Sequence, residues 1–223
     1  PNANIGVKGG FMARKKPETG QEQRALVRFT DMNLPPDAKV VSAKLSIMVR
    51  QVIGSPQIAV HGLLKEFEEG TRNYQPARIG ETTWNSVRHD RQPWGEQGAN
   101  AASSRFDYDG DADHHASADD TVTVDRTGTW FTWDVTPSCA SQVAEGKPYG
   151  WMLRIPVAEE DRLAVFFSRE MGAADAPKSI VPKLTITYES ALADEMPRPM
   201  ARPVLILWGG HTAATPDLLL NDP

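Results

Sequence analysis

The sequence predicts an all-β sandwich carrying one short helix, a long irregular insertion and a C-terminal extension, and three observations predict it. Val41, Ala43, Leu45, Ile47 and Val49 alternate with Ser42, Lys44, Ser46 and Met48, the period-two pattern of a half-buried strand. The alternation returns far down the chain, where Trp130, Thr132 and Asp134 take one face and Phe131, Trp133 and Val135 the other. Glycine and proline, at 17 each in 223 residues, supply the turns of a sheet protein rather than a helical bundle.

A chain of this length buries about 70 to 75% of its unfolded surface as one domain, so it needs no cross-links. Cys139 is the only cysteine, which excludes a disulfide-dense scaffold and leaves the compartment open. The net charge is −5, the pI is near 5.6, and no Lys/Arg block is long enough to trace a phosphate backbone. Nucleic acid is therefore not an expected partner. Residues 204–208 form the longest apolar run, far short of the roughly 20 residues that span a bilayer. A chain starting at Pro1 rather than methionine reads as a processed form or as the visible part of a longer one.

Taken in order, residues 1–23 are a loop with a short strand over 10–13 and a basic cluster, Arg14, Lys15 and Lys16, before Pro17. Residues 26–29 form a short apolar strand, and Asn33, Pro35, Pro36 and Asp37 turn the chain, because proline fixes φ and removes a ladder donor. The long strand over 41–49 follows. Gly54, Ser55 and Pro56 then make a turn, and Ile58, Val60, Gly62 and Leu64 alternate in what reads as the second arm of a hairpin. From 70 to 120 periodicity disappears. A connection that long is functional or locally folded, and Tyr74, Trp84, Trp94, Phe106 and Tyr108 predict an ordered excursion over one end of the sandwich. Strands resume at 121–125 and 129–135. A helix is predicted over 137–145, with Thr136 as cap, Pro137 at its first position and Gly146 ending it. Strands recur at 150–157, 163–168 and 181–188. Trp130, Trp133 and Trp151 lie on strands and are expected in the core. The domain thus covers 1–190, with 70–120 as its insertion and 191–223 as an extension.

Three groups are candidate sites. In the insertion, Trp84, Asn85, Arg88, His89, Arg91 and Trp94 combine flat rings with planar hydrogen-bonding groups, the mixture a sugar-binding surface needs. Their arginines suit an acidic polysaccharide such as a uronate polymer, because guanidinium pairs bidentately with carboxylate. The same rings serve equally well to anchor the loop, since a tryptophan buries ~150 to 250 Å² at ~25 cal/mol/Å². Asp107, Asp109, Asp111 and Asp113, followed by Asp119 and Asp120, could hold a structural Ca²⁺, which takes about six to eight oxygens. Gly110 at the fourth position and the lack of a glutamate at the twelfth make this something other than an EF-hand loop, and a solvated acidic loop is the alternative. His114 and His115 could add ligands for a softer metal. In the tail, Val204, Leu205, Ile206, Leu207 and Trp208 are apolar throughout, so residues 203–208 could fill a strand vacancy in their own domain or in a neighbouring copy by β-augmentation. Exchange between copies would propagate into a filament; docking to another domain is the alternative.

Catalysis is not expected. Glu66 with Glu68 and Glu159 with Glu160 are near neighbours in sequence rather than acids opposed across a pocket at about 5 to 9.5 Å. Ser168, Glu170 and Cys139 have no partnered histidine, and adjacent His114 and His115 do not match the helical spacing of zinc hydrolases. Tyr74 with Arg72 and Arg78 is the one grouping with a lyase-like composition.

An ordered set of short motifs runs through residues 1–188: Pro1-Asn-Ala-Asn-Ile-Gly6, Arg24-Ala-Leu-Val-Arg-Phe29, Leu34-Pro-Pro-Asp-Ala38 and Ser42-Ala-Lys-Leu45. It continues with Glu69-Gly70, Thr82-Thr-Trp84, Trp94-Gly95, Trp133-Asp-Val-Thr136, Phe167-Ser-Arg-Glu170 and Pro182-Lys-Leu184. In these the chain resembles the extracellular domains named for a DNRLRE signature, which are similar to disaggregatase-related repeats and to an alginate-binding carbohydrate module. It departs from them in lacking a strand before the Pro-Asn-Ala-Asn segment and in continuing past the Pro-Lys-Leu strand. The resemblance implies a jelly-roll-like antiparallel β-sandwich, extracellular or at the cell surface and non-catalytic, often appended to polysaccharide-active enzymes or surface proteins. The expected function is a carbohydrate-binding or cell-surface module; the competing one is a structural subunit of a filament or surface layer, with copies of itself as partner. A polysaccharide-degrading enzyme is the third reading.

Overall fold

The computed structural model describes residues 3–4, 9–30, 32–72, 75–100, 102–103, 112–169, 180–191 and 205–208. The first part contains β1 (Ala3–Asn4), β2 (Gly10–Lys16), a 3-10 turn (Pro17–Thr19), β3 (Gln21–Gln23), β4 (Ala25–Val27), β5 (Lys39–Ile53) and β6 (Gln57–Gly62). The insertion carries five short strands, β7 (Gln75–Pro76), β8 (Ser86–Arg88), β9 (Gln92–Pro93), β10 (Ala102–Ser103) and β11 (His114–His115). Then come β12 (Asp120–Thr123), β13 (Trp130–Asp134), helix α1 (Thr136–Glu145), β14 (Trp151–Arg154), β15 (Arg162–Phe167), β16 (Lys183–Glu189) and β17 (Leu205–Trp208).

Two antiparallel sheets form the sandwich expected from the alternation. The larger runs β17-β16-β5-β15-β2-β3, with β13 also paired to β5; the smaller runs β12-β6-β14-β4. β5 organises the larger sheet. Its residues Lys44, Leu45 and Ser46 pair with β13 on one edge and β16 on the other, while its C-terminal part pairs with β15. Ala43, Leu45, Ile47 and Val49 of β5, with Phe131, Trp133 and Val135, face Ile58 and Val60 of β6 and Trp151 and Leu153 of β14. Each such side chain contributes on the order of 1.5 to 3 kcal/mol when fully buried. Trp133 also joins the layers, its indole N–H donating to the Ile58 carbonyl at 3.0 Å. The outermost member of the predicted row, Val41, is 54% exposed, because the alternation runs on past the covering layer.

Two local expectations need correction. β5 and β6 are not a hairpin: β6 pairs with β12 and β14, and the turn carries the chain from one sheet to the other. Gly54 and Ser55 both take positive φ there, at 66° and 45°. The crossing lets Ile58 and Val60 cover the core that β5 lines from the opposite side. The helix starts one residue early, so Thr136 is inside it rather than its cap. Its hydroxyl instead donates to Asp134 and accepts from the Ala43 N–H at 2.9 Å. Pro137 and Gly146 act as predicted, at the first turn and as a left-handed C-cap with φ 65°.

The insertion lies over the outer face of the smaller sheet. Leu63, Phe67, Val87, Trp94, Ala99 and Met152 form a second apolar cluster there, joined by Leu26 and Tyr149. The two central strands of the smaller sheet, β6 and β14, are therefore buried on both faces, which is why they read as nearly continuous apolar runs. At the far edge of the larger sheet, β17 pairs antiparallel with Lys183, Leu184, Thr185 and Ile186 of β16. Among the described residues no helix is long and apolar enough to cross a membrane.

Candidate functional site

The six insertion residues are not assembled as one open surface. Trp94 is 5% exposed, sits in the second cluster, and donates its indole N–H to the Thr83 carbonyl at 2.9 Å. Trp84 is half-buried against Gly98, where a Cβ would come within 2.6 Å of its ring; Gly98 has φ 76°. The Arg24 guanidinium lies 5.5 Å from the Trp84 ring centroid and is pinned by Glu22 at 2.8 Å, the Gly98 carbonyl at 2.7 Å and Asn100 at 2.9 Å. Asn85 is tied into the turn, its N–H donating to the Thr83 hydroxyl and its carbonyl accepting from Trp94. Arg88 shares Glu66 with Arg28, at 3.1 and 2.8 Å. His89 is half-buried and 3.6 Å from Asp90, and Arg91 points to solvent. Both tryptophans are thus packed as the anchoring alternative requires.

Of the four aspartates considered for calcium, Asp113 is the one among the described residues. It is fully buried, one oxygen accepting from Lys65 Nζ at 2.8 Å and Gly95 N–H at 2.9 Å, the other from Glu96 N–H at 3.2 Å. A carboxylate bonded by an ammonium and two amides is an internal tie between Lys65 and the turn after Trp94. Asp107, Asp109 and Asp111 lie outside the described residues, as does Val204. Leu205, Ile206, Leu207 and Trp208 form the β17 edge strand within the same chain.

The outer face of the larger sheet holds a group the sequence reading passed over. Trp130 is not in the core. It is half-buried on the outer side of β13, paired with Met48, and Lys183 Nζ lies 4.2 Å from its ring centroid. Ser46, across from both Thr132 and Lys183, shares a 2.8 Å hydroxyl–hydroxyl bond with Thr132. Lys44 and Asp134 pair at 2.6 Å in the next row, and bonds from Lys44 and Thr136 hold the Asp134 carboxyl down at about 2. Arg50, two residues beyond Met48, is exposed and forms no ion pair among the described residues. The face thus carries a ring, a cation against it and paired hydroxyls.

A buried polar knot lies between the smaller sheet, the insertion and α1. The His61 and His114 rings meet edge to face at 4.8 Å, and each Nδ1–H donates to the His115 carbonyl, at 3.0 and 2.6 Å. Burial pushes the His114 imidazole down to about 4 and His61 downward as well. Ser138, 2% exposed, donates its hydroxyl to Asp119 and accepts from Trp151 Nε1 at 2.7 Å. With its hydroxyl hydrogen committed to Asp119 and its oxygen to Trp151, Ser138 fastens the helix to the sheet. Cys139 is buried, and that burial pushes its thiol up to about 12.

Fold and surface together define an all-β sandwich with a strand-borne aromatic and cationic face. No family model matches the chain, and no curated protein matches it either.

Proposed function

We propose that the chain is a non-catalytic β-sandwich module that binds an acidic polysaccharide at an extracellular or cell-surface location. One observation carries the reading: Trp130 stands on the outer side of a sheet strand with Lys183 against its ring. An indole face takes the apolar face of a sugar ring, and the Lys183 ammonium beside it takes the carboxylate. Groups mounted on strands hold such geometry better than groups on loops. Because the whole chain carries −5, local cations must supply the attraction for a polyanion. The test is retention on immobilised uronate and neutral polysaccharides, comparing the parent with Trp130→Ala. The uronate polymer should retain the parent, and the variant should bind at least about tenfold more weakly with an unchanged melting temperature. Equal retention of both proteins, or release of shortened product, would overturn the reading.

The position of β17 favours a second reading, assembly by strand exchange. A four-residue strand at a sheet edge is held by few bonds, and the β16 edge it occupies could accept the same strand from another copy. Deleting residues 191–223 should then abolish any higher-mass particle in solution; particles that persist would refute exchange.

A further inference from the structure

The outer face of the smaller sheet carries a cation that the fold leaves unmatched. β14 ends at Arg154, which is half-buried and paired with Ala59 of β6. The register that sets Ala25 against Leu153 puts Arg24 directly across from Arg154. The two arginines are treated very differently. Arg24 has a carboxylate, a carbonyl and an amide oxygen on its three nitrogens. Arg154 makes no hydrogen bond or ion pair among the described residues, and its Nε is buried without a partner. A partly desolvated guanidinium facing a second one across a strand pair is unfavourable unless something negative joins them.

The two buried imidazoles beside this pair of arginines are neutral and offer it no counter-charge. The charges of Arg154 and Arg24 both act on His61 and His114, opposing protonation of either ring. His114 Nε2, in a ring only 2% exposed, also lacks a partner. Glu22, whose charge favours the Arg154 cation, accepts its hydrogen bond from Arg24.

We propose that Arg154 anchors an oxyanion site on the outer face of the smaller sheet, which takes a carboxylate or sulfate group. The site is on the opposite side of the sandwich from Trp130, so it stands or falls independently of the sheet-face reading. Its ligand is either an inorganic anion or the acidic group of a sugar. Burial is the main cause that keeps the two imidazoles neutral and the arginine charges add to it, so an anion that offsets the Arg154 charge makes His61 and His114 easier to protonate. The groups acting on those rings are each other, His115 on β11, Arg154 on β14 and Arg24 ahead of β4.

The experiment follows the His61 and His114 ring resonances by NMR while sodium sulfate, glucuronate or an oligo-uronate is added to the full chain at constant ionic strength. The expected result is a saturable shift with both histidines titrating at higher pH, absent in Arg154→Gln and weakened in Arg154→Lys. Tighter binding of oligo-uronate than of glucuronate identifies a sugar as the ligand; saturation by sulfate alone identifies an inorganic anion. The Arg154→Gln variant removes an unmatched charge and should unfold at a urea concentration no lower than the parent's in anion-poor buffer. No saturable shift with any of the three probes, or the same shift in Arg154→Gln, would overturn the proposal.

Discussion

Acidification should weaken the hold of the insertion on the smaller sheet through His114, and the size of the effect can be worked out from its surroundings. The ring is 2% exposed, its Nδ1–H is bound to the His115 carbonyl, and its Nε2 is buried without a partner. Burial is the main cause that brings its pKa from 6.5 to about 4, with the charges of His61, Arg154 and Arg24 adding to it. The folded state thus favours the neutral ring, and the unfolded chain binds more protons between those two values. The associated stability is fully present above the unfolded value and is lost as pH falls toward the folded one. At about 1.36 kcal/mol per pK unit the full effect is roughly 3 kcal/mol, of which roughly 2 kcal/mol is lost by pH 5. Urea unfolding of the parent and of His114→Gln, at intervals from pH 7.5 to 5, measures it. Carboxylates common to both proteins cancel, so the stability difference between them should move by roughly 2 kcal/mol in favour of the variant. A difference that stays constant over that range would refute the reasoning.

Three other perturbations test the anchoring of the insertion and the core. Asp113→Asn leaves the buried Lys65 ammonium without its counter-charge and should cost about 3 to 5 kcal/mol in urea unfolding; a loss under 1 kcal/mol would contradict the pairing. Trp94→Phe keeps a ring in the second cluster but removes the bond to Thr83, so about 1 kcal/mol should be lost, against about 3 to 5 kcal/mol for Trp94→Ala. Cys139 should resist thiol reagents at pH 8 until the protein unfolds, because burial pushes its thiol up to about 12; fast labelling of the native chain would contradict its place in the core.

The parts legible in the sequence were those governed by local periodicity. β5 and β13 declare themselves because a strand with one wet face alternates, and α1 because Pro137 and Gly146 mark its ends. The path from β5 to β6 was not legible, since Gly54, Ser55 and Pro56 encode a reversal but not whether the strands stay in one sheet. Asp113 looked like one of several loop acids, and only Lys65, 48 residues away in sequence, makes it an internal ion pair. The composition around Trp84 and Trp94 is the same whether the rings face sugar or core, and tertiary packing decides it. Trp130 was the recoverable miss. Its alternation with Phe131 and Trp133 already put it on the face of Thr132 and Asp134, opposite the apolar side.

The most direct test is to add a uronate oligosaccharide to the protein while following the six tryptophan indole N–H signals by NMR. The Trp130 signal should move saturably, those of Trp133 and Trp151, bonded within the core, should stay, and the oligosaccharide should remain intact. A stationary Trp130 signal, or an oligosaccharide that shortens during the titration, would contradict a non-catalytic sugar-binding face on the larger sheet.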